Sequence, residues 1–281
     1  MQCAWDAFIH LLPAHFRSSV DMLGKDNLQE VRMRICMPPE LVLNDRIIKM
    51  DSPITADDLK YCIQFASQYS PWSANTINQG YITAPGGHRV GVFGRYAHHS
   101  DNGWSLQTPA MLCLRVARDF ERTIDRNLLT GSVLIIGPPG SGKTTLLRDL
   151  IRQYSNMEKG NISVIDEREE VFPRYRNKPC FNAGCRTDVL SGCYKHVGIE
   201  WALRNMTPSV IAVDEITAQI DCEAMLHAGW CGVNLFATAH AGNKQDLLSR
   251  PVYKPLIEHN LFQTLLVMHP DKNWHAERIC I

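Results

Sequence analysis

The sequence has no excess of either charge, because 29 Lys and Arg residues balance 29 Asp and Glu residues. Proteins that bind long nucleic acids along their surface usually carry a basic excess, so this balance argues against that class. It argues equally against an acidic, disordered chain. Composition therefore predicts a folded protein for which no nucleic-acid partner is expected.

Long apolar runs are also missing. No uninterrupted apolar segment approaches the ~20 residues that a membrane-spanning helix needs. The first residues, MQCAWDAFIHLLPAHF, lack a basic start and a small-residue cleavage site, so no signal peptide is predicted.

Cysteine is sparse for a disulfide-stabilised protein, with 10 cysteines in 281 residues. The tightest group is Cys180, Cys185, Cys193 and His196, whose spacing fits no paired zinc-binding motif. Dispersed cysteines in a chain of this length are typical of reduced, cytosolic proteins. We therefore predict neither a disulfide framework nor a zinc site.

The length of 281 residues and the apolar fraction of 45% predict a soluble protein of roughly two domains. The polar stretch from Asp119 to Thr130 is the best boundary candidate, which divides the chain into residues 1–120 and 121–281. In the first part, Asp57 to Tyr69 has helical spacing, and Gly80 to Arg95 is typical of two strands around a Pro-Gly-Gly turn. A further strand is predicted for Met111 to Ala117. These patterns indicate a small α+β domain.

The second part alternates strand-like and helical patterns. Such alternation predicts right-handed crossovers and a parallel sheet covered by helices on both faces. A helix is predicted from Lys143 to about Tyr154. The predicted strands are Ser132–Ile136, Ile162–Ile165, Val210–Val213, Val233–Ala237 and Leu261–Met268.

The segment GPPGSGKT, Gly137 to Thr144, matches the phosphate-binding P-loop, or Walker A motif, between a predicted strand and a predicted helix. Gly140 and Gly142 allow the backbone to curl so that N–H groups point at phosphate oxygens. Lys143 would reach the β and γ oxygens, and the Thr144 hydroxyl would bind Mg²⁺. The predicted nucleotide-binding residues are Gly137, Pro138, Pro139, Gly140, Ser141, Gly142, Lys143, Thr144 and Thr145.

Acidic residues follow two of the predicted strands. Asp214 and Glu215 end the segment VIAVDE, which fits a Walker B strand with Asp214 on Mg²⁺ and Glu215 as general base. The alternative is that this pair caps the next element. Asp166, a second candidate Mg²⁺ ligand, and Glu167, a candidate catalytic residue, follow the strand Ile162–Ile165, where ligands collect in open parallel sheets. The rest of that acidic run also fits a solvated loop.

A histidine follows a third predicted strand, because Val233–Ala237 leads into Thr238-Ala239-His240. His240 could sense the γ-phosphate or position water, or be an ordinary loop histidine. No Asn-Lys-x-Asp segment for base recognition is present, which argues against a GTPase. No arginine-rich lid is evident, which argues against a nucleoside kinase.

Six segments in order from Gly80 to Gly242 resemble the family of stage III sporulation protein AA: GYITAPGGHRVGVFGR, GPPGSGKTTLLRDLIRQ, VIDEREE, GCRTDVLSGC, MTPSVIAVDEI and ATAHAG. That family is similar to the hexameric type II and type IV secretion ATPases. The resemblance implies a P-loop core of the RecA and secretion-ATPase type, with ATP and Mg²⁺ as cofactors. It also implies a ring of subunits that acts on a membrane-embedded channel partner from the cytoplasmic, mother-cell side.

The resemblance also assigns site residues. It equates the acidic box of the secretion ATPases with Asp166, Glu167 and Arg168, and their histidine box with His240. It implies that the strand before His240 lies between the P-loop strand and the Walker B strand. Arginines from the N-terminal domain or a neighbouring subunit would complete the site, and the candidates are Arg89, Arg95, Arg115, Arg118 and Arg186.

The chain departs from related ATPases after the Walker B pair. Ile216-Thr217-Ala218 stands where they commonly continue with Ile-Gly-Arg or Ile-Arg-Asp, which removes a polar or cationic partner. A nucleotide-binding scaffold with weak turnover therefore stays open as an alternative. So does a nucleic-acid-dependent motor of the RecA or helicase type, which shares the same core.

Overall fold

A computed structural model describes residues 1–67, 80–99, 103–157, 160–175 and 178–279. The chain divides into two compact units, Met1–Asp119 with Pro173–Cys180, and Phe120–Phe172 with Phe181–Ile281. Sequence analysis placed Pro173–Cys180 in the second domain, and the structure assigns this segment to the first unit. A Cβ on Gly87 would lie 2.6 Å from Pro173 Cγ, so this close approach requires glycine.

The elements are numbered in chain order through both units. The helices are α1 (Trp5–Leu11), α2 (Ala14–Asp21), α3 (Ala56–Ser67), α4 (Lys143–Asn156), α5 (Lys195–Asn205), α6 (Gln219–Trp230), α7 (Lys244–Ser249) and α8 (Lys254–Glu258). The strands are β1 (Leu28–Arg34), β2 (Glu40–Leu43), β3 (Ile47–Lys49), β4 (Tyr81–Thr83), β5 (Arg89–His99), β6 (Gly103–Arg115), β7 (Val133–Ile136), β8 (Ile162–Asp166), β9 (Arg174–Tyr175), β10 (Lys178–Pro179), β11 (Thr187–Ser191), β12 (Val210–Val213), β13 (Asn234–Ala239), β14 (Thr264–Met268) and β15 (Trp274–Arg278).

The described part of the first unit forms an antiparallel sheet in the order β3-β2-β1-β6-β5-β4. Along β1, Val31 and Met33 are buried, whereas Arg32 is exposed, so one face of the sheet packs into a core and the other carries charge. Helices α1, α2 and α3 contribute to that core. These elements make the first unit an α+β domain.

Two predicted elements of the first unit have different bounds in the structure. The helix predicted for Asp57 to Tyr69 is α3, Ala56–Ser67, and the last two predicted residues lie outside the described ranges. The strand predicted for Met111 to Ala117 is the end of β6, which begins at Gly103 and forms a long hairpin with β5. The part of β6 before Met111 contains no apolar run, so the sequence pattern did not predict it as a strand.

The second unit has a sheet in the order β11-β8-β12-β13-β7-β14-β15. In this spatial order, each strand from β11 through β8, β12, β13 and β7 to β14 pairs in parallel with the next. β13 lies between β7 and β12, as the family resemblance implied. The predicted parallel sheet is confirmed, and β15, which pairs antiparallel with β14, makes it mixed at one edge. A hairpin causes this difference, because Met268 and Trp274 are joined by a turn too short for a crossover helix.

The centre of this sheet is apolar throughout. All four residues of β7 and all four of β12 are buried, as expected for parallel strands covered on both faces. Helix α4 packs four apolar side chains inward: Leu146, Leu147, Leu150 and Ile151. Parallel strands end at one edge, which places the residues after β7, β8, β12 and β13 together.

The described helices do not include one that is long and apolar enough to cross a membrane.

Candidate functional site

The phosphate loop connects β7 to α4. Gly140 and Gly142 have left-handed backbone angles, with φ of 74° and 99°, which glycine adopts without steric cost. A Cβ on Gly137 would lie 2.7 Å from Met268 Cβ, so this position also requires glycine. The loop therefore opens at the N-terminus of α4, where N–H groups without helical partners favour an anion.

Lys143 begins helix α4 and is 7% exposed. Its Nζ donates to the carbonyl oxygens of Gly137, at 2.9 Å, and Pro138, at 2.8 Å. Burial lowers the pKa of Lys143, and the negative charges of Asp214 and Glu215 oppose that shift. The ammonium group is thus held by its own loop, with its charge supported by the carboxylates beyond β12.

Asp214 is bonded by hydroxyl groups from two other elements. Thr144 Oγ1 donates to one carboxylate oxygen at 2.8 Å, and Thr238 Oγ1 donates to the other at 2.5 Å. The structure thus brings the predicted metal residues Thr144 and Asp214 together. A carboxylate beside a threonine hydroxyl supplies oxygen ligands of the kind that Mg²⁺ prefers, so these residues fit the ion.

Glu215 follows Asp214 in a left-handed backbone conformation, with φ of 58°. Its N–H donates to Thr238 Oγ1 at 2.7 Å. One carboxylate oxygen faces His240 Nε2 at 2.9 Å, and the other accepts from Arg168 Nη1 at 2.5 Å. The predicted general base therefore contacts Thr238 of β13 through its backbone, and His240 and Arg168 through its carboxylate.

His240 links the lysine to the glutamate. Its Nδ1 lies 3.2 Å from Lys143 Nζ, and its Nε2 lies 2.9 Å from Glu215 Oε1. An ammonium group can only donate, so Nδ1 accepts and the proton of a neutral ring lies on Nε2, from which it is donated to Glu215. The structure brings His240 into the site, in contact with two predicted catalytic residues.

Thr238 is a site residue that the sequence analysis did not identify. It is fully buried in β13, and its hydroxyl donates to Asp214 while accepting from the backbone of Glu215. The available signal was a hydroxyl side chain in an apolar strand that ends beside the candidate His240. The family resemblance implied that β13 lies beside β12, but the sequence does not show which side chain of β13 faces Asp214.

Asp166 bonds the backbone of the loop that follows β8. Its carboxylate accepts three backbone N–H groups, from Glu170 at 2.9 Å, Val171 at 3.0 Å and Phe172 at 2.8 Å. Burial raises the pKa of Asp166 to about 6, although the bonds from Phe172 and Val171 lower it. Both oxygens thus accept bonds that fold the loop after β8, and the predicted role of Asp166 as a Mg²⁺ ligand stays a prediction.

Glu167 points to a lysine that the sequence analysis missed. Lys195 Nζ lies 2.6 Å from Glu167 Oε2, and Lys195 is 5% exposed at the first position of α5. Glu167, Arg168, Lys195, Asp214 and Glu215 all line one small cleft. Within the acidic box, Glu167 is therefore already paired with a cation.

Arg186 does not reach this edge of the sheet. It precedes β11, its backbone N–H donates to Ser155 Oγ at 2.7 Å, and its Nε donates to Asn161 Oδ1 at 3.2 Å. These partners lie at the end of α4 and before β8, so Arg186 is at the edge where the parallel strands begin. The catalytic role predicted for Arg186 therefore stays a prediction, and its place at this edge leaves a neighbouring subunit's nucleotide as its target.

The arginines predicted in the first unit have partners of their own. The Arg89 guanidinium lies 4.0 Å from the centre of the Tyr81 ring. Arg115 pairs with Glu30 at 3.4 Å, and Arg118 donates to the Lys25 carbonyl at 2.7 Å. A role for these arginines and for Arg95 at a nucleotide stays a prediction.

A cavity of about 210 Å³ adjoins the phosphate loop within the second unit. Its walls include Phe120, Arg122, Leu146, Met268 and Lys272, together with loop residues 140–142. An aromatic ring, apolar side chains and two cations beside the loop are suited to a flat, polar heterocycle attached to phosphates.

Comparison with known proteins gave a family and a fold. The model of the family described as "Sporulation stage III, protein AA" matches residues 8–278. Stage III sporulation protein AA of Bacillus subtilis is 36% identical over 277 residues, covering 93% of this chain and 90% of that protein. Protein SEEDLING PLASTID DEVELOPMENT 1 of Arabidopsis thaliana is 26% identical over 269 residues, but this chain spans only 36% of its length.

Solved structures share this architecture at low sequence identity. The ATPase DotB of Legionella pneumophila aligns with a TM-score of 0.62 and 15% identity, over 95% of this chain and 80% of that one. The pilus retraction motor PilT with bound ADP aligns with a TM-score of 0.62 and 18% identity, over 89% of this chain and 76% of that one. These likenesses show the fold, a P-loop core preceded by a smaller N-terminal domain.

Proposed function

The chain belongs to the stage III sporulation protein AA family, and from this premise we propose that it is an ATP-hydrolysing motor of the secretion-ATPase type that acts in sporulation. The observation that carries the proposal is the bonded chain formed by Lys143, His240 and Glu215 beside the pair of Thr144 and Asp214. Lys143, Thr144, Asp214 and Glu215 have side chains that phosphoryl transfer uses at a phosphate loop, at Mg²⁺ and at the attacking water.

The phosphate loop with Lys143 and the neighbouring cavity would bind different parts of the nucleotide. N–H groups of the phosphate loop and Lys143 would hold the phosphates, and the cavity lined by Phe120 and Met268 would take the base. Thr144 and Asp214 would hold Mg²⁺, whose charge would offset the charge of the transferred phosphoryl group.

Glu215 and His240 would handle the attacking water. Glu215 would orient the water and accept its proton, and the His240 Nε2–H holds the glutamate carboxylate at the end of β12. Thr238 accepts the backbone N–H of Glu215 and so helps to hold the base at the end of β12. Proton transfer to a positioned group of this kind contributes roughly 10²–10⁴-fold to rate.

The motor function extends beyond one chain. We propose that subunits assemble into a ring, six by resemblance to the secretion ATPases, and act from the cytoplasmic, mother-cell side on a membrane-embedded channel partner. Arg89, Arg95, Arg115, Arg118 or Arg186 would then act on the nucleotide of a neighbouring subunit, where a positioned arginine is worth ~10³–10⁵ in rate.

Replacement of the loop lysine tests the nucleotide site. We expect Lys143→Ala to lose ATP binding and turnover, because the loop then lacks its cation for the β and γ oxygens. Lys254→Ala, at an exposed lysine paired with Glu258, is the matched control and should keep both. The measurements are calorimetric titration with Mg²⁺ and ATP, and phosphate release.

Three results would redirect the assignment. Normal turnover by Lys143→Ala would contradict the site itself. Binding without phosphate release by the wild-type protein would favour the nucleotide-binding scaffold, which the run Ile216-Thr217-Ala218 keeps open. Strong stimulation of turnover by single-stranded DNA would favour the nucleic-acid-dependent motor.

A further inference from the structure

Arg168 lies on the loop directly after β8, and its guanidinium bonds the candidate general base. Nη1 of Arg168 is 2.5 Å from Glu215 Oε2, and the Arg168 side chain is 50% exposed. Among the arginines in the described ranges, it is the one that pairs with a carboxylate of the Walker B segment. The sequence placed Arg168 in the acidic box without giving it a task.

The contact leaves Glu215 with a donor on each carboxylate oxygen. His240 Nε2 lies 2.9 Å from Oε1, while Arg168 occupies Oε2. A guanidinium group can only donate hydrogen bonds, so Arg168 occupies Oε2 as a donor. In this arrangement a water must compete with Arg168 or His240 for either carboxylate oxygen of Glu215.

The pair is also inexpensive to break. It is open to solvent, and exposed ion pairs contribute little net free energy. Within the part of the chain that the structure describes, no second carboxylate pairs with Arg168, so no other ion pair holds its guanidinium group in this position. The neighbouring Glu167 already pairs with Lys195 at 2.6 Å.

We propose that Arg168 exchanges partners, pairing with Glu215 when no γ-phosphate is bound and with the γ-phosphate oxygens of a bound triphosphate otherwise. The exchange would leave Glu215 Oε2 free to contact the attacking water and would bring a cation to the transferred group. Binding of the triphosphate would thus expose this oxygen. This inference rests on the proposed function and names a γ-phosphate sensor within the same subunit.

The chemistry supports this exchange. Phosphoryl oxygens carry more negative charge than a carboxylate, and the guanidinium fork fits two of them at once. A diphosphate lacks the γ group and would leave Arg168 on Glu215. The sensor therefore predicts that Arg168 contributes to the affinity for a triphosphate and not to the affinity for a diphosphate.

Two nucleotides and two substitutions separate this role from a structural one. The probes are the β,γ-imido analogue of ATP and ADP, each titrated calorimetrically with the same Mg²⁺ concentration. We expect Arg168→Ala to weaken analogue binding about tenfold and to leave ADP binding unchanged. We expect Glu215→Gln to strengthen analogue binding about threefold, because the competing carboxylate charge is gone, and to have no such effect when Arg168 is also Ala.

The controls keep the result interpretable. Arg204→Ala removes an exposed arginine that pairs with Glu200 on α5 and should leave the ratio of the two affinities unchanged. Arg168→Lys keeps the charge without the fork, so its ratio should be intermediate even if Arg168→Ala folds poorly. A thermal unfolding curve for each variant reports folding independently.

The outcomes distinguish the sensor from the proposed function. Equal weakening of both nucleotides by Arg168→Ala, no weakening of either, or a gain from Glu215→Gln that persists without Arg168 would overturn the sensor alone. A wild-type protein that binds neither nucleotide would overturn the proposed function, and the sensor with it.

Discussion

Glu215 has a strained backbone conformation and carries the carboxylate that we propose as the general base. A left-handed φ of 58° on a non-glycine residue costs of order 1–3 kcal/mol and persists only where surrounding contacts enforce it. Two bonds from Thr238 enforce it: Thr238 Oγ1 accepts the Glu215 N–H, and the Thr238 carbonyl accepts the N–H of Ile216. Strain held in this way is common where a side chain must be aimed at a ligand.

Removal of the Thr238 hydroxyl tests that support. Thr238→Val keeps the side-chain shape but leaves Asp214 Oδ1 and the Glu215 N–H without this partner. We expect a loss of about 1–3 kcal/mol in the free energy of unfolding and a roughly 10²-fold loss of ATP turnover. Chemical denaturation and phosphate release are the two measurements.

Thr238→Ser is the matched control, because it retains the hydroxyl and should stay close to the wild-type rate. Wild-type turnover by Thr238→Val would show that this hydroxyl does not position the base.

Among individual residues, the sequence pointed to those that belong to a short, contiguous motif. Lys143, Thr144, Asp214 and Glu215 belong to segments that need only their immediate neighbours to be legible. Lys195 and Thr238 were missed because their roles arise from pairing with elements distant along the chain. The bonds of Asp166 to the loop that follows it were not visible in the spacing of the sequence.

The elements of the second unit were predicted where burial leaves a strong pattern. The strand predicted for Val210–Val213 has the same bounds in β12, since every residue is apolar and buried. β11 was missed because its residues Thr187–Ser191 are partly exposed and mostly polar, as suits a sheet edge. The antiparallel β15 was missed for a related reason, because its side chains are half-buried or exposed.

In the first unit, His88 ties three elements together. Its Nε2–H donates to the carbonyl of Ala4 at 2.9 Å, and its Nδ1 accepts the N–H of Ala117 at 3.0 Å. The pKa of His88 is lowered to about 4, mainly by burial; the bond to Ala4 opposes this shift and the charge of Arg118 adds to it. The ring is therefore held neutral between the start of α1 and the end of β6.

This pairing predicts an acid-sensitive first unit. An unfolded histidine titrates near pH 6.5, so at lower pH the unfolded state binds a proton that the folded state does not. We expect the His88 contribution to be complete above about pH 6.5 and to fall by about 1.4 kcal/mol per pH unit down to pH 4. Denaturation of the wild-type protein and of His88→Gln from pH 7 to 4.5 measures it.

The informative quantity is the difference between the two proteins, because Asp166 titrates in the same range with the opposite sign. Its raised pKa of about 6 makes the folded state take up a proton before the unfolded state does as pH falls. A wild-type advantage over His88→Gln that is constant across this range would contradict the assignment of His88.

Across the whole molecule, the net charge of zero gives no indication that charged side chains cluster locally. The 29 basic and 29 acidic residues include carboxylates and cations concentrated in one cleft after β8 and β12. A charge balance of zero therefore fits a protein whose polyanion is small and held in a built pocket.

Ring assembly is the prediction at this scale. We expect sedimentation with Mg²⁺ and the β,γ-imido analogue of ATP to show a species six times the 31.8 kDa chain mass. Lys143→Ala, which should not bind the analogue, is the control for nucleotide dependence. A wild-type protein that stays monomeric at micromolar concentration with bound analogue would contradict the ring.

The most direct test of the account is to separate binding from hydrolysis at Glu215. Glu215→Gln preserves the shape of the side chain but cannot accept the proton from water, so we predict retained ATP binding and a loss of phosphate release of roughly 10²–10⁴-fold. Both quantities are measured on the same preparation, beside the wild-type protein. Phosphate release by Glu215→Gln at the wild-type rate would show that this residue is not the base and would contradict the proposed mechanism.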